Sequence, residues 1–196
     1  MMTVIIVMVI YFMTYKIRKM DEIAKKEEFA FFWGGTFSQW ATSKFIIDGV
    51  EFNTCEQYMM YKKALMFHDY EMAEKIMNEK DPREQKALGR RVKGFDKDTW
   101  ETYCRDIVYD GNVAKFTQNP EMLEELKFTG DKTIVEASPQ DVIWGIGLKY
   151  DDPRAKDRSQ WKGTNWLGEA IQRVREDIRS GKIAVESYQK KMFHDE

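Results

Sequence analysis

The chain has 196 residues, a length typical of one domain and at most two. Hydrophobic residues make up 43% of the sequence and charged residues 33%, which indicates a globular rather than a disordered chain. The 31 basic and 33 acidic residues leave a net charge of −2. This balance argues against a protein that binds nucleic acid through overall positive charge, although it is compatible with a local basic patch.

Cysteine and histidine are both scarce. Cys55 and Cys104 form no C-x-x-C pair and no disulfide framework, so we expect a reducing compartment and a cytoplasmic location. His68 and His194 are too few for a His-rich metal site and leave few candidates for a Ser-His-Asp triad. We therefore expect neither a metal nor another cofactor.

The first fifteen residues carry no charge, and a basic stretch at 16–19 follows them. As a helix they would span about 22 Å, short of the hydrocarbon core of a bilayer, and they lack the basic start and cleavage site of a signal peptide. Three interpretations stay open: a short membrane anchor through residues 3–15, a packed strand or helix, or an over-extended start with Met13 or Met20 as the natural first residue. The predicted division is a segment at 1–20, a domain at 21–181 and a charged, peripheral tail at 182–196.

In chain order, the domain begins with strands and continues mainly as helices. Asp48-Gly49 between two apolar runs predicts a hairpin, because a type I′ turn needs positive φ at both central residues. Thr54 with Gln57 fits a helix-capping box, and Asp98 with Glu101 fits another. The strands are predicted at 27–35, 44–47, 50–52, 133–137 and 142–148, and the helices at 54–67, 70–78, 82–89, 98–118, 120–128 and 166–179.

A polar loop at 150–163 precedes the last of these helices, and a loop of this length inside a domain is usually functional or disordered. The pattern as a whole predicts an α+β fold: a predominantly α-helical single domain with a small β-sheet and hairpin.

Four motifs occur in an order that resembles the NADAR family, also called YbiA-like. They are the hairpin and E-x-x-Y-x-x-x-K-type helix at 31–67, the sequence GRRVK at 89–93, the EASPQDVIWGIGL stretch within 129–148, and WKGTNWLG at 161–168. Together they cover about residues 29–178, and the third is the most specific. The resemblance implies a NADAR-like fold.

The resemblance also implies an enzyme that cleaves N-glycosidic bonds of ribose or ADP-ribose. Two substrates are implied: a ribosylated pyrimidine phosphate of riboflavin synthesis, and ADP-ribosylated guanine in nucleic acid. The alternatives are a non-catalytic module that binds NAD or ADP-ribose, and a membrane-tethered form of either. The family often has Ser-Glu-His at its catalytic helix, whereas this chain has Cys55-Glu56-Gln57, which leaves the glutamate without a histidine.

Glu56 and Lys63 lie seven residues apart, so a helix projects both from one face, about 10.5 Å apart along its axis. Cleavage of an N-glycoside passes through a cationic state at C1′, which a carboxylate stabilises. An uncharged lysine could instead attack C1′ and form a Schiff base. Lys62 is the alternative amine if the helix is rotated. The structural alternative makes Glu56 a charge matched to the helix dipole and Lys63 a solvated side chain.

Asp141 and Glu136 flank a Ser-Pro turn, where carboxylates can transfer protons or bind ribose hydroxyls. Asp141 is a third catalytic candidate, and Glu136 is a ligand-binding one. The alternative for Asp141 is a residue that stabilises a turn.

Further ligand-binding candidates combine flat rings, glycines and cations, which suit bases and phosphates. The structural alternatives are a core tryptophan for Trp144, a packed strand end for Trp33 and a solvated helix end for Arg90. A helix cap at Asn165 is compatible with a ligand role. The candidates are Trp33, Gly34, Phe37, Arg90 (with Arg91 and Lys93 beside it), Trp144, Gly145, Gly147, Asn165 and, from the resemblance, Gly168.

Overall fold

A computed structural model of the protein describes Met13 and residues 27–192. The interpretations of the segment at 1–20 therefore lie outside the described residues, Met13 excepted, as does the end of the tail at 193–196. None of the described helices combines the length and apolar character that crossing a bilayer requires.

The described residues form four strands and seven α-helices, which confirms the predicted α+β class with helices dominant. The strands are β1 Phe29–Phe32, β2 Phe45–Ile47, β3 Val50–Phe52 and β4 Thr133–Glu136. The helices are α1 Cys55–Met66, α2 Tyr70–Asn78, α3 Pro82–Gly89, α4 Lys97–Gln118, α5 Pro120–Phe128, α6 Trp166–Arg179 and α7 Val185–Met192. Short 3-10 helices occupy Gly35–Phe37, Pro153–Lys156 and Arg158–Gln160, so part of the polar loop at 150–163 is ordered.

The strands form two separate pairs. β1 and β4 are parallel, and their register places Phe32 beside Glu136. β2 and β3 form the predicted hairpin, with positive φ angles of 52° at Asp48 and 76° at Gly49. The first pair joins two distant parts of the chain and carries Glu136 at its end.

Helix α1 begins as the capping box predicts. Thr54 accepts a hydrogen bond from the Gln57 amide at 3.0 Å, and the Gln57 side chain accepts one from the Asn53 amide at 2.9 Å. The predicted box at Asp98 is wrong, because Asp96 is the N-cap and accepts from the Thr99 amide at 2.8 Å. Aspartate is favoured at an N-cap, so Asp96 and Asp98 are both candidates by residue type. Asp96 takes this position, with the extended backbone that an N-cap residue has.

The strand predicted at 142–148 is wrong. This segment is an irregular loop whose carbonyls accept hydrogen bonds from the amides of residues 162–167, including Leu167 to Trp144 and Asn165 to Gly145. The carbonyls of this segment therefore find hydrogen-bond donors without forming a β-sheet. An apolar run in the sequence does not distinguish such a loop from a strand.

The main core lies between the helices and β4. Helix α6 packs on β4 and α4, while α1 packs on α2, α3 and α4. In the charged tail, which we expected to be peripheral, Ile183 is buried in this core and α7 contacts α4. The domain boundaries at 21 and 181 stay predictions.

Candidate active site

Glu56 lies in the first turn of α1, and its residue is only 4% exposed. The indole Nε1–H of Trp40 donates a hydrogen bond to its Oε2 at 3.2 Å. Burial raises the pKa of Glu56, while the charge of Lys86 and the Trp40 bond act in the opposite direction. The negative charge of Asp141 adds to the increase in this pKa, so α1 brings the first candidate within electrostatic reach of the third.

Glu136 ends β4 on the same site. Its Oε2 is buried and has no hydrogen-bond partner among the described residues. Burial raises its pKa to about 7, and the charges of Asp141 and Glu56 contribute to the increase while that of Lys86 opposes it. The charges of Asp141 and Glu56 therefore both act on Glu136, which is partly protonated near neutral pH.

Asp141 combines a structural contact with its charge. Its Oδ1 accepts hydrogen bonds from the Ile143 amide at 2.9 Å and the Trp144 amide at 2.8 Å, which folds the turn after Ser138-Pro139. Asp141 therefore stabilises the turn, as the structural alternative predicts. Only its Oδ1 makes these bonds, and the charge of its carboxylate also raises the pKa of Glu56 and of Glu136.

Lys63 is half-buried against aromatic rings. Its Nζ lies 4.0 Å from the centre of the Phe95 ring and 5.6 Å from that of Trp100. Burial and the positive charge of Arg90 lower its pKa, which favours the neutral amine that a nucleophile needs. The charge of Lys62 acts instead on Asp110 of α4.

Arg90 lies at the C-terminal end of α3 and is exposed. Its charge affects the pKa of both Glu56 and Lys63, which places it with the site. Lys93 is directed elsewhere, because its ammonium pairs with Glu71. Arg90 and Lys93, which the sequence suggests as one basic cluster, therefore have different neighbours.

The predicted aromatic residues differ in their surroundings. Trp33 follows β1 and is 61% exposed, with Gly34 exposed beside it, so its ring is open to a ligand. Trp144 packs on the main core and meets Trp166 edge-on with ring centres 5.8 Å apart. Phe37 also packs on the core, 5.7 Å from Phe32 between ring centres. Trp144 and Phe37 therefore pack on the core, as the structural alternative predicts.

Asn165 positions β4. Its Oδ1 accepts from the Glu136 amide at 2.9 Å, and its Nδ2 donates to the Ile134 carbonyl at 2.9 Å. Asn165 is the N-cap residue of α6, as predicted, but its side chain makes no capping hydrogen bond, because its left-handed backbone (φ 58°) directs the side chain to the strand. Asn165 thus fixes the backbone that carries Glu136.

Two of the predicted glycines permit close backbone approach. A Cβ at Gly145 would lie 2.9 Å from the Glu136 carbonyl oxygen and 3.1 Å from that of Asp141. A Cβ at Gly168 would overlap the Ile134 carbonyl oxygen. Gly147 donates its amide to the Asp141 carbonyl at 3.1 Å. These glycines hold the loop and α6 against the strand end that bears the carboxylates.

Gln57 has a structural role at the position where histidine is frequent in the resembled family. Its Nε2 donates to the carbonyls of Ile76, Met77 and Glu79, each at 3.1 Å. This amide satisfies the C-terminal end of α2 and leaves Glu56 as the acidic group of the motif.

Sequence reasoning missed four residues at the site: Trp40, Lys86, Phe95 and Trp100. Lys86 lies four residues before Arg90, and this spacing could have indicated a second cation on the same side of α3. The others depend on contacts between distant parts of the chain. No group of three or more His, Cys, Asp or Glu side chains within 27–192 is arranged to hold a metal ion.

The NADAR domain family profile matches residues 25–179. The chain belongs to this family. An N-glycosidase from Acanthamoeba polyphaga mimivirus is 44% identical over 146 residues, which cover 72% of this chain and 86% of that protein. The NMR structure of YbiA from Escherichia coli matches this NADAR domain with a TM-score of 0.66 and 25% identity, covering 81% of this chain and 89% of that one.

A more distant relative is the chloroplastic riboflavin biosynthesis protein of Zea mays. It is 30% identical over 112 residues, which are 55% of this chain and 16% of that protein. With relatives named N-glycosidase up to 44% identical, this NADAR protein is an N-glycosidase rather than a non-catalytic module.

Proposed function

We propose that this N-glycosidase hydrolyses the C1′–N bond between ribose and a base, with ADP-ribosylated guanine as its substrate. The observation that carries the proposal is a site in which Asp141 acts on both Glu56 and Glu136, and Arg90 acts on both Glu56 and Lys63. With its pKa raised to about 7, Glu136 can both hold and release a proton near neutral pH.

Each of these residues has a separate step in the proposed reaction. The proton on Glu136 goes to the base nitrogen as the C1′–N bond breaks and its electron pair leaves with the base. The carboxylate of Glu56 stabilises the positive charge that develops at C1′. Water then adds to C1′ and releases a proton to a carboxylate. Alternatively, the neutral amine of Lys63 adds to C1′ and gives a proton to a carboxylate; the C1′–O4′ bond then breaks, O4′ takes up a proton, and water hydrolyses the open-chain Schiff base to release the sugar and restore the amine.

Exposed groups around the site support the ADP-ribosyl substrate. Trp33 is 61% exposed and offers a ring face to a base. Lys86 and Arg90 supply positive charge for phosphate beside the carboxylates. The overall charge of −2 suits a nucleobase or a chain end better than a long nucleic-acid track.

A second candidate is a ribosylaminopyrimidine phosphate, which the same C1′ chemistry would cleave. The similarity to a riboflavin biosynthesis protein of Zea mays favours it. Either substrate is a nucleotide-like partner of the kind expected in the cytoplasm, and the buried free thiols of Cys55 and Cys104 suit that location.

Parallel assays of the full chain against ADP-ribosylated guanine DNA and a ribosylaminopyrimidine phosphate test the proposal. We expect Glu56→Gln to lower kcat at least about 100-fold, because it removes the charge that stabilises C1′, and Lys63→Ala to do the same if the Schiff-base route operates. Borohydride should trap a covalent adduct if the Lys63 route operates. Lys62→Ala is the matched control and should retain activity. Full activity of both Glu56→Gln and Lys63→Ala would refute the mechanism, and inactivity of the wild type on both substrates would refute the substrate assignment.

A further inference from the structure

We propose that Trp40 is a positioning residue for the reaction, whose indole N–H holds the Glu56 carboxylate oriented toward C1′ while Lys86 lies over the indole. The proposal rests on the proposed function in one respect only, namely that Glu56 is the carboxylate that works at C1′.

The contact has the geometry of an orienting bond. The Trp40 Nε1 lies 3.2 Å from Glu56 Oε2, and an indole nitrogen donates a hydrogen bond but does not accept one. Glu56 is 4% exposed, so water cannot easily replace a lost donor. The bond therefore requires an acceptor oxygen on Glu56 and fixes the side of the carboxyl group that carries it.

Lys86 reinforces the same arrangement from α3. Its Nζ lies 5.9 Å from the centre of the Trp40 ring, within the range of a cation–π contact. Its charge also acts on Glu56 and Glu136. An indole and an ammonium group thus favour the ionised form of Glu56 through separate contacts.

Charged groups act on Glu56 from several elements. Lys86 in α3 and Arg90 at its C-cap favour the carboxylate form of Glu56, whereas Asp141, in the loop after β4, disfavours it. The charge of Glu56 in turn raises the pKa of Glu136. On the α1 side, the buried Cys55 thiol lies within electrostatic reach of Glu56 and also of the Lys115 ammonium. Among the described residues, Trp40 is the neighbour that donates a hydrogen bond to the Glu56 side chain.

The test is a titration of Glu56 that needs no substrate. With 13C-labelled glutamate, the carboxyl resonance of Glu56 reports its midpoint in the wild type and in Trp40→Phe. We expect the midpoint to rise by about one pH unit in Trp40→Phe, because a hydrogen bond to the charged form is lost. Trp161→Phe is the matched control: it also removes an indole bond, the one to the Ala155 carbonyl at 2.9 Å, and should leave the Glu56 midpoint unchanged.

Activity supplies a second measurement. In Trp40→Phe, kcat should fall about tenfold with little change in KM, and the acid limb of the pH–rate profile should move upward with the Glu56 midpoint. Trp40→Tyr, which restores a hydrogen-bond donor, should recover part of kcat and return the acid limb part of the way toward its wild-type position. A residue with only a packing role would lower the stability without moving this limb.

The wild type offers a test that does not depend on any variant folding. The Nε1–H resonance of Trp40 should shift with the same midpoint as the Glu56 carboxyl, and that of Trp161 should not. Either of two results would overturn the proposal: an unchanged Glu56 midpoint in folded Trp40→Phe, or a wild-type Trp40 Nε1–H resonance that does not shift at the Glu56 midpoint. Both results are independent of the substrate, so they are distinct from a failure of the proposed function.

Discussion

Replacing Glu136 with glutamine should change how the free energy of unfolding depends on pH. The folded protein raises the pKa of Glu136 from 4.5 to about 7, chiefly through burial and then through the charge of Asp141. Since the folded pKa exceeds the unfolded one, the contribution to stability is fully present below about pH 4.5 and is lost as the pH rises through about 7. The difference of about 2.5 units corresponds to about 3 kcal/mol at about 1.4 kcal/mol per unit.

Glutamine keeps the shape of the side chain and cannot ionise, so the variant does not undergo this loss. We expect the stability of Glu136→Gln relative to the wild type to increase by about 3 kcal/mol between about pH 4 and about pH 8.5. Urea unfolding across this range measures it. Glu84→Gln, at an exposed position of α3, is the matched control and should give a curve parallel to that of the wild type. Parallel curves for Glu136→Gln as well would refute the reasoning from burial and Asp141.

Two further predictions concern the framework of the site, and urea unfolding checks both. Gly168→Ala should destabilise the protein by about 3 kcal/mol, because the new methyl group overlaps the Ile134 carbonyl, whereas exposed Glu169→Ala should cost less than about 0.5 kcal/mol; equal effects would contradict the close approach of α6 to β4. Gln57→Ala should cost about 1–3 kcal/mol, because the Met77 carbonyl and the Asn53 amide lose their side-chain partner, whereas the carbonyls of Ile76 and Glu79 keep donors in the Glu79 amide and the Gln85 side chain. A loss below about 0.5 kcal/mol would show that water replaces the Gln57 amide.

Local patterns predicted much of the fold. Asp48-Gly49 specified the hairpin and Thr54 with Gln57 specified the start of α1, because both signals are completed within a few residues. The apolar segment at 142–148 was mistaken for a strand. Its backbone partners lie at 162–167, in a loop whose path the apolar pattern does not encode.

The candidate site was predictable where a motif carried it, and Glu56, Glu136 and Asp141 do come together. Trp40 and Phe95 were missed because their roles depend on tertiary contacts with Glu56 and Lys63. Asn165 was assigned to the correct region, but its left-handed backbone turned the side chain toward β4. A sequence indicates the residue type at such a position but not the direction in which it points.

The parallel pairing of β1 with β4 has a consequence for folding. Residues 29–32 pair with 133–136 across a stretch of chain that includes α1 to α5, and closing such a long loop is intrinsically slow. Trp33 and Glu136 are attached to these two strands, whereas Glu56 belongs to a helix that can form earlier. Recovery of catalysis during refolding should therefore lag behind recovery of helical circular dichroism, so that the enzyme's own activity reports the last long-range contact to close.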